Sequence, residues 1–264
     1  MKLETTKMLA EVKEGIGWVT FNQPEKRNAI SLEMWRGLAV ILESFAHDQN
    51  VRVVVMRGAG DKAFVSGADI SEFDTNRSNA AQKEAYSEVA AEANRWLARL
   101  DKPLLALIQG YCIGGGLATA LAADVRFATT DATFGIPAAK LGLGYEYQGL
   151  KRLVDIVGPS RAKDIMFSAR FMSADEALQM GLINRVCSRE QINEDIKTYA
   201  QTVAGNAPLT VKAAKAAIND ALREPGKQDR AGVDEMIDAC FDSEDYAEGR
   251  AAFAAKRKPV FRGR

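Results

Sequence analysis

One histidine, His47, and three cysteines, Cys112, Cys187 and Cys240, are all that this 264-residue chain offers of the residues most used in metal binding and nucleophilic relays. Imidazole-based catalysis and His-rich metal sites are thereby nearly excluded, and no metal is expected. The cysteines share no metal-ligand spacing, and their odd number argues against a disulfide framework. No charge sign dominates: Lys+Arg and Asp+Glu are both 35. The totals therefore show no polyanion-binding surface, and no nucleic acid is expected as a partner. No apolar run reaches the length of a membrane span, and residues 1–14 lack the apolar core of a signal peptide. These absences leave a cytoplasmic, reduced, soluble protein without a membrane partner. With 47% hydrophobic residues, the chain suffices for one large domain or a core with an appendage.

What is present is an α/β pattern. Apolar residues over 8–12 and 17–21 flank Glu14-Gly15-Ile16-Gly17, a hairpin signal. After a polar loop at 22–29, Ser31 is placed to cap a helix whose Met34, Trp35, Leu38, Ile41, Leu42 and Phe45 share one face. Strands are read over 51–56, 104–108, 125–128 and 132–135, and helices over 80–100, 117–123 and 147–157. Further helices open at Pro159 and at Ser173-Ala174-Asp175-Glu176, the latter with a capping-box pattern. Strands alternating with helices at this spacing imply parallel βαβ units. From about Glu190 only helices are read, near 192–204, 210–222, 233–241 and 244–255. The division expected is an α/β core over 1–190 and a helical region over 191–264 that packs on the core or on a neighbouring subunit. Lys256-Arg257-Lys258-Pro259 reads as a solvated basic end.

The chemistry centres on Gly114-Gly115-Gly116, between the apolar strand and a small-residue helix. Residues without Cβ admit a ligand to the backbone, and the first N–H groups of a helix point outward as donors with partial positive charge. A second such donor is read at Val65-Ser66-Gly67-Ala68-Asp69, where another helix begins. Two backbone N–H groups from separate turns, aimed at one carbonyl oxygen, make an oxyanion hole able to stabilise an enolate-like transition state by several kcal/mol.

Several blocks in this order resemble the crotonase superfamily, the enoyl-CoA hydratase/isomerase family. They are Pro24-Glu25-Lys26-Arg27-Asn28-Ala29, Ala63-Phe64-Val65-Ser66-Gly67-Ala68-Asp69, the triple glycine, Ala132-Thr133-Phe134-Gly135-Ile136-Pro137, Gly158-Pro159-Ser160-Arg161-Ala162 and Gly181-Leu182-Ile183-Asn184. The resemblance implies a ββα spiral with two sheets, a helical C-terminal region, and a homotrimer or homohexamer. It implies an acyl-CoA thioester as substrate, coenzyme A being part of that substrate and no separate cofactor being needed. Matching motifs residue by residue puts the two donors at Ala68 and Gly115. It puts CoA contacts at Lys26, Arg27 and Ala29, at Ser66, Asp69 and Ile70 around Ala68, and at Phe253 and Lys256 near the C-terminus.

The resemblance breaks at the acid/base groups. Hydratases of the family use two glutamates, one just after the triple glycine and one just after the Phe-Gly-x-Pro block; Ala118 and Ala138 stand there. Neither can move a proton. Glu146, aligned on Gly142, falls where dienoyl-CoA isomerases carry an extra acid and chlorobenzoyl-CoA dehalogenases a nucleophilic aspartate; it also reads as an ordinary acidic residue at a helix N-terminus. Tyr145 falls where methylmalonyl-CoA decarboxylase has a tyrosine; core packing is the other reading. The expectation is an enzyme of fatty acid metabolism, isomerase or lyase, working through a stabilised enolate on an enoyl-CoA. An acyl-CoA decarboxylase and a catalytically idle CoA-binding member are the alternatives. Asp124 reads as structural, Glu72 as facing water, Cys112 as a small buried residue, and His47 as a surface or capping group.

Overall fold

The computed structural model describes residues 1–72 and 80–264. The hairpin is formed by β1 (Met8–Lys13) and β2 (Ile16–Phe21), paired antiparallel. Glu14 and Gly15 both take positive φ, 53° and 79°, the backbone that suits a two-residue connection between right-twisted strands. Helix α1 (Leu32–His47) buries the face read from the sequence, Met34, Trp35, Leu38, Ile41, Leu42 and Phe45.

Three turns of chain then repeat one plan. The first is β3 (Val53–Gly58), β4 (Ala63–Val65), a single 3-10 turn over Ile70–Glu72, and helix α2 (Ala80–Arg99). The second is β5 (Leu104–Ile108), β6 (Tyr111–Ile113) and helix α3 (Gly115–Ala120). The third is β7 (Val125–Thr129), β8 (Thr133–Gly135), a 3-10 turn over Pro137–Leu141 and helix α4 (Tyr147–Val157). Helix α5 (Pro159–Ser168), β9 (Met172–Ser173), helix α6 (Ala174–Met180) and β10 (Arg185–Cys187) follow. The first strand of each turn joins a six-stranded sheet, order β1-β2-β3-β5-β7-β10, and the second joins a four-stranded sheet, order β4-β6-β8-β9. Within the repeat every pairing is parallel. Successive turns thus stack side by side, and this is the ββα spiral that the resemblance implies.

Both faces of the larger sheet are covered. One lies over the main core with α1, and the other takes Ile192, Ile196 and Ala200 of helix α7 (Ile192–Ala204) against Val53, Val55, Leu105, Leu107 and Phe127. Strands buried on both faces carry continuous apolar runs, as Leu104–Ile108 does. Helices α8 (Pro208–Ala221), α9 (Arg230–Phe241) and α10 (Glu244–Ala254) complete the chain. Lys215 of α8 reaches the Asp124 carboxylate at 2.8 Å and the Lys102 carbonyl at 2.9 Å. Asp124 also accepts the Leu104 N–H at 2.7 Å, which gives it the structural role read from the sequence.

Five expectations need correction. The helix expected after Ala68 is one 3-10 turn, and the segment 73–79 that follows lies outside the described residues. The helix expected over 117–123 runs Gly115–Ala120, so Gly115 is itself the first helical residue. Ser31 stands at the N-cap of α1, yet its hydroxyl makes no capping bond; the Glu72 carboxylate accepts the Leu32 N–H at 3.0 Å instead, and Glu72 therefore faces α1 and not open water. Finally, Arg257 is not simply solvated: its guanidinium donates to both Glu248 oxygens, at 2.6 and 2.7 Å. Among the described residues no helix is long and apolar enough to cross a membrane.

Candidate functional site

β4, β6 and β8 lie side by side and parallel, so their C-terminal ends deliver three loops to one edge of the small sheet. Ala68 follows β4, Gly114 and Gly115 follow β6, and Ile136 to Ala138 follow β8. The register places the glycine turn between its two neighbours: Gly114 donates its N–H to the Gly135 carbonyl at 2.8 Å. Gly114 holds φ 54° and ψ −119°, a conformation that only glycine adopts readily.

The Ala68 turn is held from its other side by the loop before α1. Ser66 donates to the Arg27 carbonyl at 3.1 Å, Ile30 donates to the Gly67 carbonyl at 2.8 Å, and Asp69 donates to the Ile30 carbonyl at 2.8 Å. In an extended strip successive N–H groups alternate in direction. Gly67 and Asp69 bond Ile30 from either side of Ala68 in a parallel bridge, so the Ala68 N–H points away from that loop. A Cβ built on Gly115 would lie 4.0 Å from the Ala68 nitrogen, so the two turns meet. Among the described residues neither the Ala68 nor the Gly115 N–H has a backbone acceptor. The structure therefore brings the Ala68 and Gly115 turns together.

The other predicted residues divide. Lys26 is exposed but engaged: its ammonium donates to Asp69 at 2.8 Å and to Ser71 at 2.9 Å. Arg27 takes positive φ and lies over the Tyr111 ring, 4.8 Å from its centroid. Ala29 is buried beside the Ala68 strip, and Ser66 is half-buried within it. Asp69 is buried; burial works against its charge, but Lys26, Ser71 and Gln23 outweigh this and hold its carboxyl down at about 2. Ile70 next to it is 75% exposed, a large apolar side chain left open at the mouth of the turn. Phe253, 88% exposed, and Lys256 lie on the surface at the end of α10.

Tyr145 packs against the main core, and its hydroxyl donates to the Gly114 carbonyl at 3.4 Å. Burial, with smaller contributions from Cys112 and Glu146, pushes its phenol up to about 12, so it stays a neutral donor at ordinary pH. Glu146 is exposed at the N-cap of α4, makes no capping bond, and accepts from the Ser87 hydroxyl of α2 at 3.4 Å. Ala118 lies in α3 and Ala138 is buried after β8. Cys112 is fully buried, and burial raises its thiol far above the usual range, which removes it as a nucleophile. His47 is exposed, with Nδ1 against the Glu43 carbonyl. Among the described residues no group of three His, Cys, Asp or Glu side chains could hold a metal ion.

Two supporting residues escaped the sequence reading. Asn28 is buried at φ 56°; its side chain accepts the Gln23 N–H at 3.0 Å and donates to the carbonyls of Ala59 and Ala63 at 3.0 and 2.8 Å, tying the Lys26–Ala29 loop to β4. Gln23 donates to Asp69 at 3.2 Å. An asparagine in a polar loop was the only available signal, since asparagine tolerates left-handed backbone.

Comparison with known proteins agrees with this geometry. The enoyl-CoA hydratase/isomerase family profile matches residues 11–264. The chain is 33% identical over 256 residues to short-chain-enoyl-CoA hydratase of Clostridium acetobutylicum, covering 97% of each. It is 33% identical over 254 residues to carnitinyl-CoA dehydratase of Escherichia coli, covering 93% of this chain and 94% of that one. Its structure matches that of an enoyl-CoA hydratase/carnithine racemase from Magnetospirillum magneticum with a TM-score of 0.92 and 39% identity, over 99% of this chain and 97% of the other. Fold, motif order and full-length similarity agree: the chain has the crotonase fold and belongs to the enoyl-CoA hydratase/isomerase family.

Proposed function

We propose that the protein acts on an acyl-CoA thioester by holding its carbonyl oxygen between the Ala68 and Gly115 N–H groups and stabilising the enolate that forms when the α-carbon loses an electrophile or the β-carbon of an enoyl group gains a nucleophile. The single observation that carries this is the meeting of the two turns, with the Gly115 Cβ position 4.0 Å from the Ala68 nitrogen and both N–H groups without a backbone acceptor among the described residues. Two fixed amide dipoles stabilise charge as it develops, with no reorganisation at the moment of reaction. Lys26, Arg27 and Ala29, with Ser66, Asp69 and Ile70, form the adjacent rim and are assigned to the CoA portion. Phe253 and Lys256 are assigned to enclosing it within a homotrimer or homohexamer, an assembly that would also give Phe253 a covering surface.

Glu146 is the proposed proton carrier for isomerisation, or for hydration by altered machinery, of an enoyl-CoA. Its support is chemical: with Ala118 and Ala138 unable to exchange protons, it is the ionisable carboxylate next to Tyr145, which touches the hole peptide. The second reading is decarboxylation of an acyl-CoA, which needs the hole but little general base. The neutral phenol of Tyr145 beside Gly114 favours it.

Assays of crotonyl-CoA, a 3-enoyl-CoA, a dienoyl-CoA and methylmalonyl-CoA side by side test these readings. Turnover of an enoyl-CoA that Glu146→Gln lowers by about 100-fold or more, the usual scale of general acid–base catalysis, supports the first. Turnover of methylmalonyl-CoA unaffected by Glu146→Gln replaces it with the second. Tight CoA binding without any turnover leaves a binding protein.

A further inference from the structure

The Gly114 carbonyl and the Gly115 N–H belong to one peptide unit. That carbonyl accepts two hydrogen bonds: from the Ala118 N–H at 3.0 Å, the first bond of α3, and from the Tyr145 hydroxyl at 3.4 Å. Because a carbonyl can only accept, the phenol must donate its one proton there. Hydrogen bonds in a chain polarise one another, so a donor drawn to the oxygen of a peptide strengthens the N–H at its other end.

The arrangement around the ring fits this use. Tyr145 is anchored in the core, and a Cβ built on Gly149, one turn on in α4, would come within 3.1 Å of the tyrosine Cε1. The absence of that carbon lets the ring sit where its hydroxyl reaches Gly114. Neither Gly114 nor Gly115 carries a side chain that could wedge the peptide plane, so the bonds to its oxygen contribute to holding its tilt.

We propose that Tyr145 is a positioning residue of the oxyanion hole: by bonding the Gly114 carbonyl it fixes and polarises the Gly114–Gly115 peptide, making the Gly115 N–H a stronger donor to a thioester oxygen. The inference rests on the reading of Gly115 as a hole donor. It assigns Tyr145 a role through the backbone and not on the substrate.

The test is isotope-edited infrared spectroscopy of butyryl-CoA carrying 13C at the thioester carbonyl, a saturated probe, bound to the full-length protein. In the wild type, binding moves the carbonyl stretch to lower wavenumber. In Tyr145→Phe, that displacement shrinks by about 10–30%, the cooperative share of one bond. The probe's Kd stays within about 3-fold, and kcat on the best acyl-CoA falls about 2- to 10-fold, the value of one neutral hydrogen bond. Gly149→Ala, which displaces the ring while keeping the hydroxyl, shrinks the displacement in the same direction and serves if Tyr145→Phe does not fold. A wild-type displacement that both variants leave unchanged overturns the role of Tyr145 while keeping the hole. A wild type with no displacement overturns the hole itself.

Discussion

Val65 and Gly116 meet backbone to backbone: a Cβ built on Gly116 would lie 2.1 Å from the Val65 carbonyl oxygen. This contact presses α3 onto the end of β4 and so sets the distance between the Ala68 and Gly115 turns. Gly116→Ala must push them apart. We expect a loss of stability of about 3 kcal/mol or more, at the upper end of overpacking, because the obstacle is backbone and not a movable side chain. Urea unfolding of the variant measures it.

Gly115→Pro removes one donor with little disturbance of the fold. Gly115 is the first residue of α3, the position where proline best tolerates a helix, and its N–H makes no bond that α3 would lose. The expected outcome is a fall in kcat of about 100- to 1,000-fold, the usual cost of one oxyanion-hole donor. Circular dichroism and the melting temperature should stay near wild type.

Asp69 gives a pH signature. Its native carboxyl titrates at about 2, below the ordinary aspartate value of about 3.9. Between those values the unfolded chain binds the proton more readily, so the stabilisation is complete above about pH 4 to 5 and disappears as pH falls toward 2, an effect on the order of 2 kcal/mol. The stability gap between wild type and Asp69→Asn, measured by denaturant unfolding, should be constant near neutrality and narrow below about pH 4. A gap that widens on acidification contradicts the assignment.

Glu72 caps α1 from forty residues away along the chain. Glu72→Ala should cost about 1 kcal/mol, the value of an N-cap acceptor, read as a lower melting temperature. Ser31→Ala should cost less, because the Ser31 hydroxyl has no hydrogen-bond partner among the described residues.

These residues also show what the sequence made legible. The glycine turn, the Ala68 turn and the buried face of α1 announce themselves locally, through missing side chains or through apolar spacing within one helix. The strands β4, β6, β9 and β10, of two or three residues each, are too short for any periodicity to register. The capping of α1 by Glu72, the clamp of Asn28 on Ala59 and Ala63, and the seat of Tyr145 against Gly149 and Gly114 depend on side chains that only the folded spiral brings together. Ser31 illustrates the point: its residue type and position are right for a cap, but tertiary structure supplies a better acceptor.

The most direct test of the account is a crystal structure with a saturated acyl-CoA bound. It should place the thioester oxygen about 3 Å from both the Ala68 and Gly115 nitrogens, the geometry of a working oxyanion hole. An oxygen bonded to neither nitrogen, or a thioester lying outside the edge shared by β4, β6 and β8, would contradict it.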